Sequence, residues 1–171
     1  MKLQATPNTF RWIGAAVFTV LVPGSVTVFL PYYIFGRSIL DIEDLGPLQL
    51  VAASVLVVGA GIYFRCLWDF VIAGRGLPSP VDHPKKLVVC GLYRYVRNPM
   101  YVGVLLVLIG EALLLRSIVL IWYALAVLAL VHVYILVYEE RYLQYRFGQS
   151  YTEYRNKVRR WIPGRPYQRR C

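Results

Sequence analysis

Acidic residues are scarce in this chain: nine Asp and Glu stand against nineteen Lys and Arg in 171 residues, a net charge of +10. That balance alone would suit a nucleic-acid binder. The basic residues, however, collect in the N-terminus, one loop and the C-terminal tail, as the positive-inside rule expects of a membrane protein, so no nucleic-acid partner is expected. Histidine is rarer still, at two, and the cysteines number three, Cys66, Cys90 and Cys171. They show no metal-ligand spacing, and an odd cysteine count supplies no disulfide framework. Also lacking is the length for a separate soluble catalytic domain.

What is present is apolar. The chain is 58% hydrophobic, with a mean hydropathy of +0.51, above the roughly 45–50% usual for soluble domains. Several runs approach the roughly 20 apolar residues that span a bilayer. The expectation is an all-α integral membrane protein forming a single domain over 1–171, with about four transmembrane helices. Helices 1 and 2 occupy 12–73; a loop, a hairpin and a C-terminal segment occupy 74–163.

Helix 1 is expected over Trp12–Phe35, kinked at Pro23-Gly24, and no cleavage site follows it, so it reads as a retained span. Helix 2 is expected over Leu48–Ala73, with Gly59 and Gly61 available for close helix approach and Arg65 and Asp69 spaced for an ion pair. Helix 3, Pro99–Leu115, and helix 4, from Ser117 into Glu139-Glu140, are separated only by Arg116-Ser117 and form a tight hairpin. Glu111 is expected at the outer interface beside Arg116, with a functional role as the alternative. His83 reads as a surface histidine. His132 shares a helix face with Ile135 and Glu139.

After Gly148, Ser150-Tyr151-Thr152-Glu153 reads as a capping box opening a helix to about Arg160. Leu143, Phe147, Tyr154, Val158 and Trp161 supply apolar anchors; Arg155, Lys157, Arg159 and Arg160 supply charge. That is a basic amphipathic C-terminal helix, expected to lie on an anionic leaflet. The positive charge places both termini and the Gly74–Asn98 loop on the cytoplasmic side, while Gly36–Pro47, with Asp41, Glu43 and Asp44, looks external.

The densest polar stretch is Gly91–Gly103, with three tyrosines, two arginines and an Asn-Pro step. Pro99 suits the first turn of a helix and Asn98 its N-cap. The hairpin brings Tyr93, Arg94, Arg97, Asn98 and Tyr101 to the same end as Glu139-Glu140. Arginines there hold an anion, a glutamate a cation and tyrosines a flat or cationic surface. An amino-acid head on an aromatic group satisfies all three, and S-adenosylmethionine is such a molecule. Plain Arg–Glu surface pairs would use the same residues.

The run Lys86–Gly103, then Glu139-Glu140, then Phe147-Gly148 with Tyr151 and Tyr154, then Arg160-Trp161-Ile162-Pro163, resembles the isoprenylcysteine carboxyl methyltransferase family. Integral-membrane phospholipid N-methyltransferases share its Arg-x-Pro-x-x-x-Gly and Glu-Glu core. The resemblance covers about 74–163 and implies a membrane methyltransferase that uses S-adenosylmethionine on a lipid-like or lipidated acceptor. By position it implies backbone contacts to the cofactor from Leu87 and Val88, a lining of Tyr93, Asn98 and Tyr101, and Glu139 for its ammonium group. Arg97 is the candidate for the carboxylate or for the acceptor's anionic group. An amine or thiol acceptor would need a base, for which Glu140 or His132 could serve; a carboxylate would need none.

Two positions depart from the family. Asn98 stands where it usually has His, which removes a titrating group. Ile135 stands where the eukaryotic prenylcysteine enzymes have a substrate-binding Arg. Two other readings compete: an NADPH-dependent membrane reductase of the sterol-reductase type, with Lys85-Lys86 and the tail arginines for a phosphate, and a non-catalytic membrane scaffold.

Overall fold

The computed structural model describes residues 8–35, 46–74 and 87–168. Within them the chain is helical with no strand; a single bridge joins Val96 to Arg159. The order is α1 (Asn8–Leu21), α2 (Leu30–Phe35), α3 (Pro47–Asp69), α4 (Pro99–Leu114), α5 (Ile118–Tyr134), α6 (Glu140–Phe147) and α7 (Gln149–Lys157). Wider π turns at Ser25–Phe29, Phe70–Gly74 and Ile135–Glu139 connect or extend these helices. His83 and most of the acidic loop lie outside the described residues.

Pro23 interrupts helical hydrogen bonding where the sequence predicts a kink. The π turn follows at once. Nearby hydroxyls satisfy carbonyls there: Ser25 Oγ donates to Leu21 O at 2.7 Å and Thr27 Oγ1 to Pro23 O at 2.8 Å. Among the described residues three continuous helical runs, Trp12–Ile34, Pro47–Ile72 and Ile118–Phe147, are long and apolar enough to cross a membrane; Pro99–Leu114 is shorter. Their outward faces are apolar, with Val57 67%, Trp122 66% and Leu130 72% exposed, a surface that belongs against lipid. The protein is an all-α integral membrane protein.

The packing of α3 on α4 is set by glycine. A Cβ on Gly103 would lie 2.8 Å from Gly59 O and 2.9 Å from Tyr63 N, and one on Gly110 would lie 2.9 Å from the Leu56 backbone. Backbone approaches backbone there, which only a missing side chain permits. Gly61, expected to share this role, has nothing within 4 Å; the α3 face that meets α4 carries Gly59 instead.

A second core lies outside the bundle. Val89, Tyr151, Tyr154 and Val158 are buried together, with Leu87, Leu143, Phe147 and Tyr167 against them. The apolar residues of the tail therefore turn inward onto the 87–89 segment rather than into a leaflet, while Arg155, Lys157 and Arg159 stay exposed. The capping box also gives way. Gly148, at φ 54°, breaks the helix and its carbonyl accepts Tyr151 N and Thr152 N at 3.1 and 3.2 Å, so α7 starts before Ser150. It stops at Lys157, because Val158 is extended and the next residues run beside Val96.

Candidate active site

Pro99 opens α4 as expected, and the Asn98 carbonyl accepts Val102 N at 3.2 Å. The Asn98 side chain makes no cap bond. It is buried, and its Nδ2 has no hydrogen-bond partner among the described residues. The loop before it is seated on α3. Gly91 sits at φ 51°, in the left-handed region, and a Cβ there would collide with the Asp69 carboxylate. Asp69 Oδ1 in turn pairs with Arg65 Nη2 at 3.2 Å, the expected i, i+4 contact.

The two adjacent glutamates do different things. Tyr101 donates its hydroxyl to Glu139 Oε2 at 2.9 Å, joining α4 to the end of the π turn after α5. Glu140, one residue on, faces elsewhere: its Oε1 is ion-paired with Arg97 Nη1 at 3.0 Å and accepts a hydrogen bond from Arg160 Nε at 2.9 Å. Successive helical residues are about 100° apart, so neighbouring glutamates cannot share one face. Arg97 also lies beside the Tyr151 phenol, and its Nε is buried without a hydrogen-bond partner among the described residues. Three buried donor atoms without a hydrogen-bond partner among the described residues, Arg97 Nε and Nη1 and Asn98 Nδ2, thus stand on consecutive residues.

The segment after α7 straps this loop in place. Arg97 N donates to Arg159 O at 2.9 Å, Gly164 N to Tyr95 O at 3.0 Å and Tyr167 N to Arg94 O at 2.9 Å. The Tyr154 hydroxyl donates to Tyr93 O at 2.7 Å. Trp161 Nε1 donates to His132 Nδ1 at 3.1 Å, which ties the strap to α5. Tyr93 itself is buried with Cys66 and Val88, edge-on to Phe70 at 5.3 Å between ring centroids. Burial pushes its phenol well above the usual range, with Cys66 and Glu139 adding to the effect. The Tyr154 phenol is also raised by burial, against the pull of Arg97, and Tyr151 is raised by burial and then by Glu140.

Asn98, Tyr101 and Glu139, with Arg97 and Glu140, come together at one end of the hairpin. Leu87 and Val88 lie in the seated loop, with side chains in the two small cores. Glu111 does not pair with Arg116: its Oε2 is buried without a partner, while Arg116 is exposed and takes the left-handed turn at the hairpin tip, φ 47°. Sequence reasoning missed Arg160 as a second partner of Glu140, Tyr151 as a partner of Arg97 and the strap itself. The Arg160-Trp161 step was the available signal for the Arg160–Glu140 contact and for the tie from Trp161 to His132; nothing in the sequence marks the backbone bridge.

An all-helical membrane protein whose helical hairpin carries a half-buried Tyr–Glu pair beside an arginine-held loop is the class that fold and site define. Residues 48–150 match the family model for phospholipid methyltransferase, and the chain belongs to that family. It is 40% identical over 110 residues to the protein-S-isoprenylcysteine O-methyltransferase of Schizosaccharomyces pombe, an alignment covering 58% of this chain and 47% of that one. The chain thus spans about half the length of that curated relative. No solved structure matches.

Proposed function

We propose that this protein is an S-adenosylmethionine-dependent methyltransferase acting on a lipid-like or lipidated acceptor at the cytoplasmic face of a membrane. The observation that carries the reading is the pairing of opposite needs at one site. Arg97 Nε and Asn98 Nδ2 are buried donors with no acceptor, and Glu139 is a carboxylate held by one tyrosine. Buried unsatisfied donors are costly, so a ligand that supplies an acceptor there is stabilised. The zwitterionic head of an amino acid fits: its carboxylate to Arg97 and Asn98, its ammonium to Glu139.

When bound, S-adenosylmethionine supplies an electrophilic methyl group on its sulfonium. The residues of this chain bind and orient. Tyr101 fixes the Glu139 carboxylate, and the strap fixes the Arg97–Asn98 step. Glu140 has Oε1 occupied by two guanidinium groups, so it serves to hold Arg97 rather than to take a proton from an acceptor. His132 Nδ1 is taken by Trp161. With both candidate bases engaged, an acceptor that is already a nucleophile, such as a carboxylate, suits the site better than an amine needing deprotonation.

Equilibrium binding of S-adenosylmethionine and of NADPH to detergent-purified protein tests the reading. Saturable binding of S-adenosylmethionine, weakened at least tenfold in folded Glu139→Gln, is the expected result. Binding of NADPH alone would make the protein a reductase; binding of neither would leave a scaffold.

A further inference from the structure

An open groove of about 470 Å³ lies on the outer side of α6, away from the Tyr101–Glu139 pair. Leu136, Glu140 and Gln144, on one helical row, line it with Arg141 and Tyr145; Arg155 closes it from α7. Arg141 and Glu139 flank Glu140 in sequence, so they sit about 200° apart around the helix. The groove is therefore a separate feature from the candidate active site, sharing with it only the Glu140 node.

Its charge is unbalanced. The one carboxylate, Glu140, is already bound by Arg97 and Arg160. Arg141 and Arg155 have no ion-pair partner among the described residues, and both are exposed. Two guanidinium groups and a phenol match an oxyanion with several acceptor oxygens, while the Gln144 amide of the lining is already bonded to Gly148 O and Thr152 Oγ1. The groove's upper rim is Leu136, 41% exposed, and Val133 and Val137, each 57% exposed, continue the apolar surface along α5 and the π turn. The lipid-facing side of a spanning helix thus runs directly into a basic hollow at its end.

We propose that this groove binds the phosphodiester headgroup of an anionic phospholipid whose acyl chains lie along the Val133–Val137 surface. The lipid is a bound partner of the protein rather than the methyl acceptor. Free phosphate shares the headgroup chemistry but has no use for the apolar rim.

Native mass spectrometry of the full chain in detergent tests this, with phosphatidylglycerol, phosphatidylcholine and inorganic phosphate as probes. Wild type is expected to retain phosphatidylglycerol over phosphatidylcholine. In Arg141→Gln/Arg155→Gln the apparent affinity for phosphatidylglycerol should fall roughly thirtyfold, at about 1 kcal/mol per cation. Arg146→Gln removes an exposed charge outside the groove and should leave retention unchanged, as should Glu139→Gln. Arg141→Lys/Arg155→Lys, which keeps both charges, should recover part of the loss. Equal retention of the two lipids, an equal loss in Arg146→Gln, unchanged retention in the double glutamine variant, or displacement by millimolar phosphate would each overturn the proposal. Loss in Glu139→Gln would do so as well, by moving the lipid to the candidate active site. S-adenosylmethionine binding, measured in parallel, should survive the groove substitutions, so failure here and failure of the methyltransferase reading are distinguishable.

Discussion

The α3–α4 pair and the strapped loop are neighbours in the molecule and are held by different forces. Between α3 and α4 the contact is made by what is missing: Gly59, Gly103 and Gly110 let two backbones approach within van der Waals distance. In the bilayer, where burial from water offers no drive, close packing of this kind is what associates helices. Over the site, the loop at 93–97 and the strap at 159–167 are joined by directed bonds: three backbone hydrogen bonds, a buried phenol and the Glu140 node. A lipid-embedded pair tolerates no added volume. An interfacial strap tolerates no lost partner.

The largest test of that contrast is at Glu140. Its side chain and that of Arg97 are each 11% exposed. Removing one partner of a buried ion pair typically costs about 3–5 kcal/mol, because the other charge is left unpaired. Glu140→Ala should therefore lower unfolding stability by that order, and the double Glu140→Ala/Arg97→Ala change should cost less than the two single changes added. Chemical denaturation in detergent measures both. A purely additive double variant would show that the node is not what holds the strap.

Next in size is the glycine seam. Gly103→Ala places a methyl group against backbone atoms of α3 that cannot move aside, and overpacking of this kind costs about 1–3 kcal/mol. Gly61→Ala meets open space and should be neutral or stabilising by up to about 1 kcal/mol through helix propensity. Thermal midpoints of the two variants separate a seam effect from a general glycine effect. Equal midpoints would remove the seam from the comparison.

The same division explains what was readable from sequence. The spans, the hairpin and the meeting of Tyr101 and Arg97 with the Glu pair follow from local rules: apolar run length, Pro99 at a helix start and the short Arg116-Ser117 turn. Which of Gly59 and Gly61 faces α4 depends on the rotation of one helix against another, and no run length encodes that. The strap was illegible for a further reason. Val158 to Tyr167 has no period of its own, and its bonds go to backbone atoms some sixty to seventy residues earlier, as in Arg97 N to Arg159 O and Tyr167 N to Arg94 O. The tail's amphipathic pattern was real, but a pattern says only that a face is covered, not whether lipid or the Leu87–Val89 segment covers it.

The smallest effect expected is alkaline loosening of the strap, and it separates the two regions without altering either. Burial raises the phenols of Tyr93, Tyr151 and Tyr154, all of which lie in the loop or the tail. Their neutral forms are favoured in the folded protein, so their contribution is fully present below an unfolded phenol pKa of about 10. As pH rises past that value the unfolded chain loses phenolic protons that the folded chain keeps, unfolding releases protons, and stability falls. Hydrogen exchange between pH 9 and about pH 11, corrected for the intrinsic rate, should thus show protection of the Arg97, Gly164 and Tyr167 amides declining before that of α3 and α4. Tyr154→Phe lowers protection at pH 9 by removing the bond to Tyr93 O, yet its decline with pH should be shallower, because one titrating phenol is gone. Tyr145→Phe, at a ring 91% exposed, removes a phenol without touching the strap and should leave the decline as it is. If α3 and α4 lose protection together with the strap in every variant, the two regions unfold as one unit, and the forces that distinguish them do not make them independent.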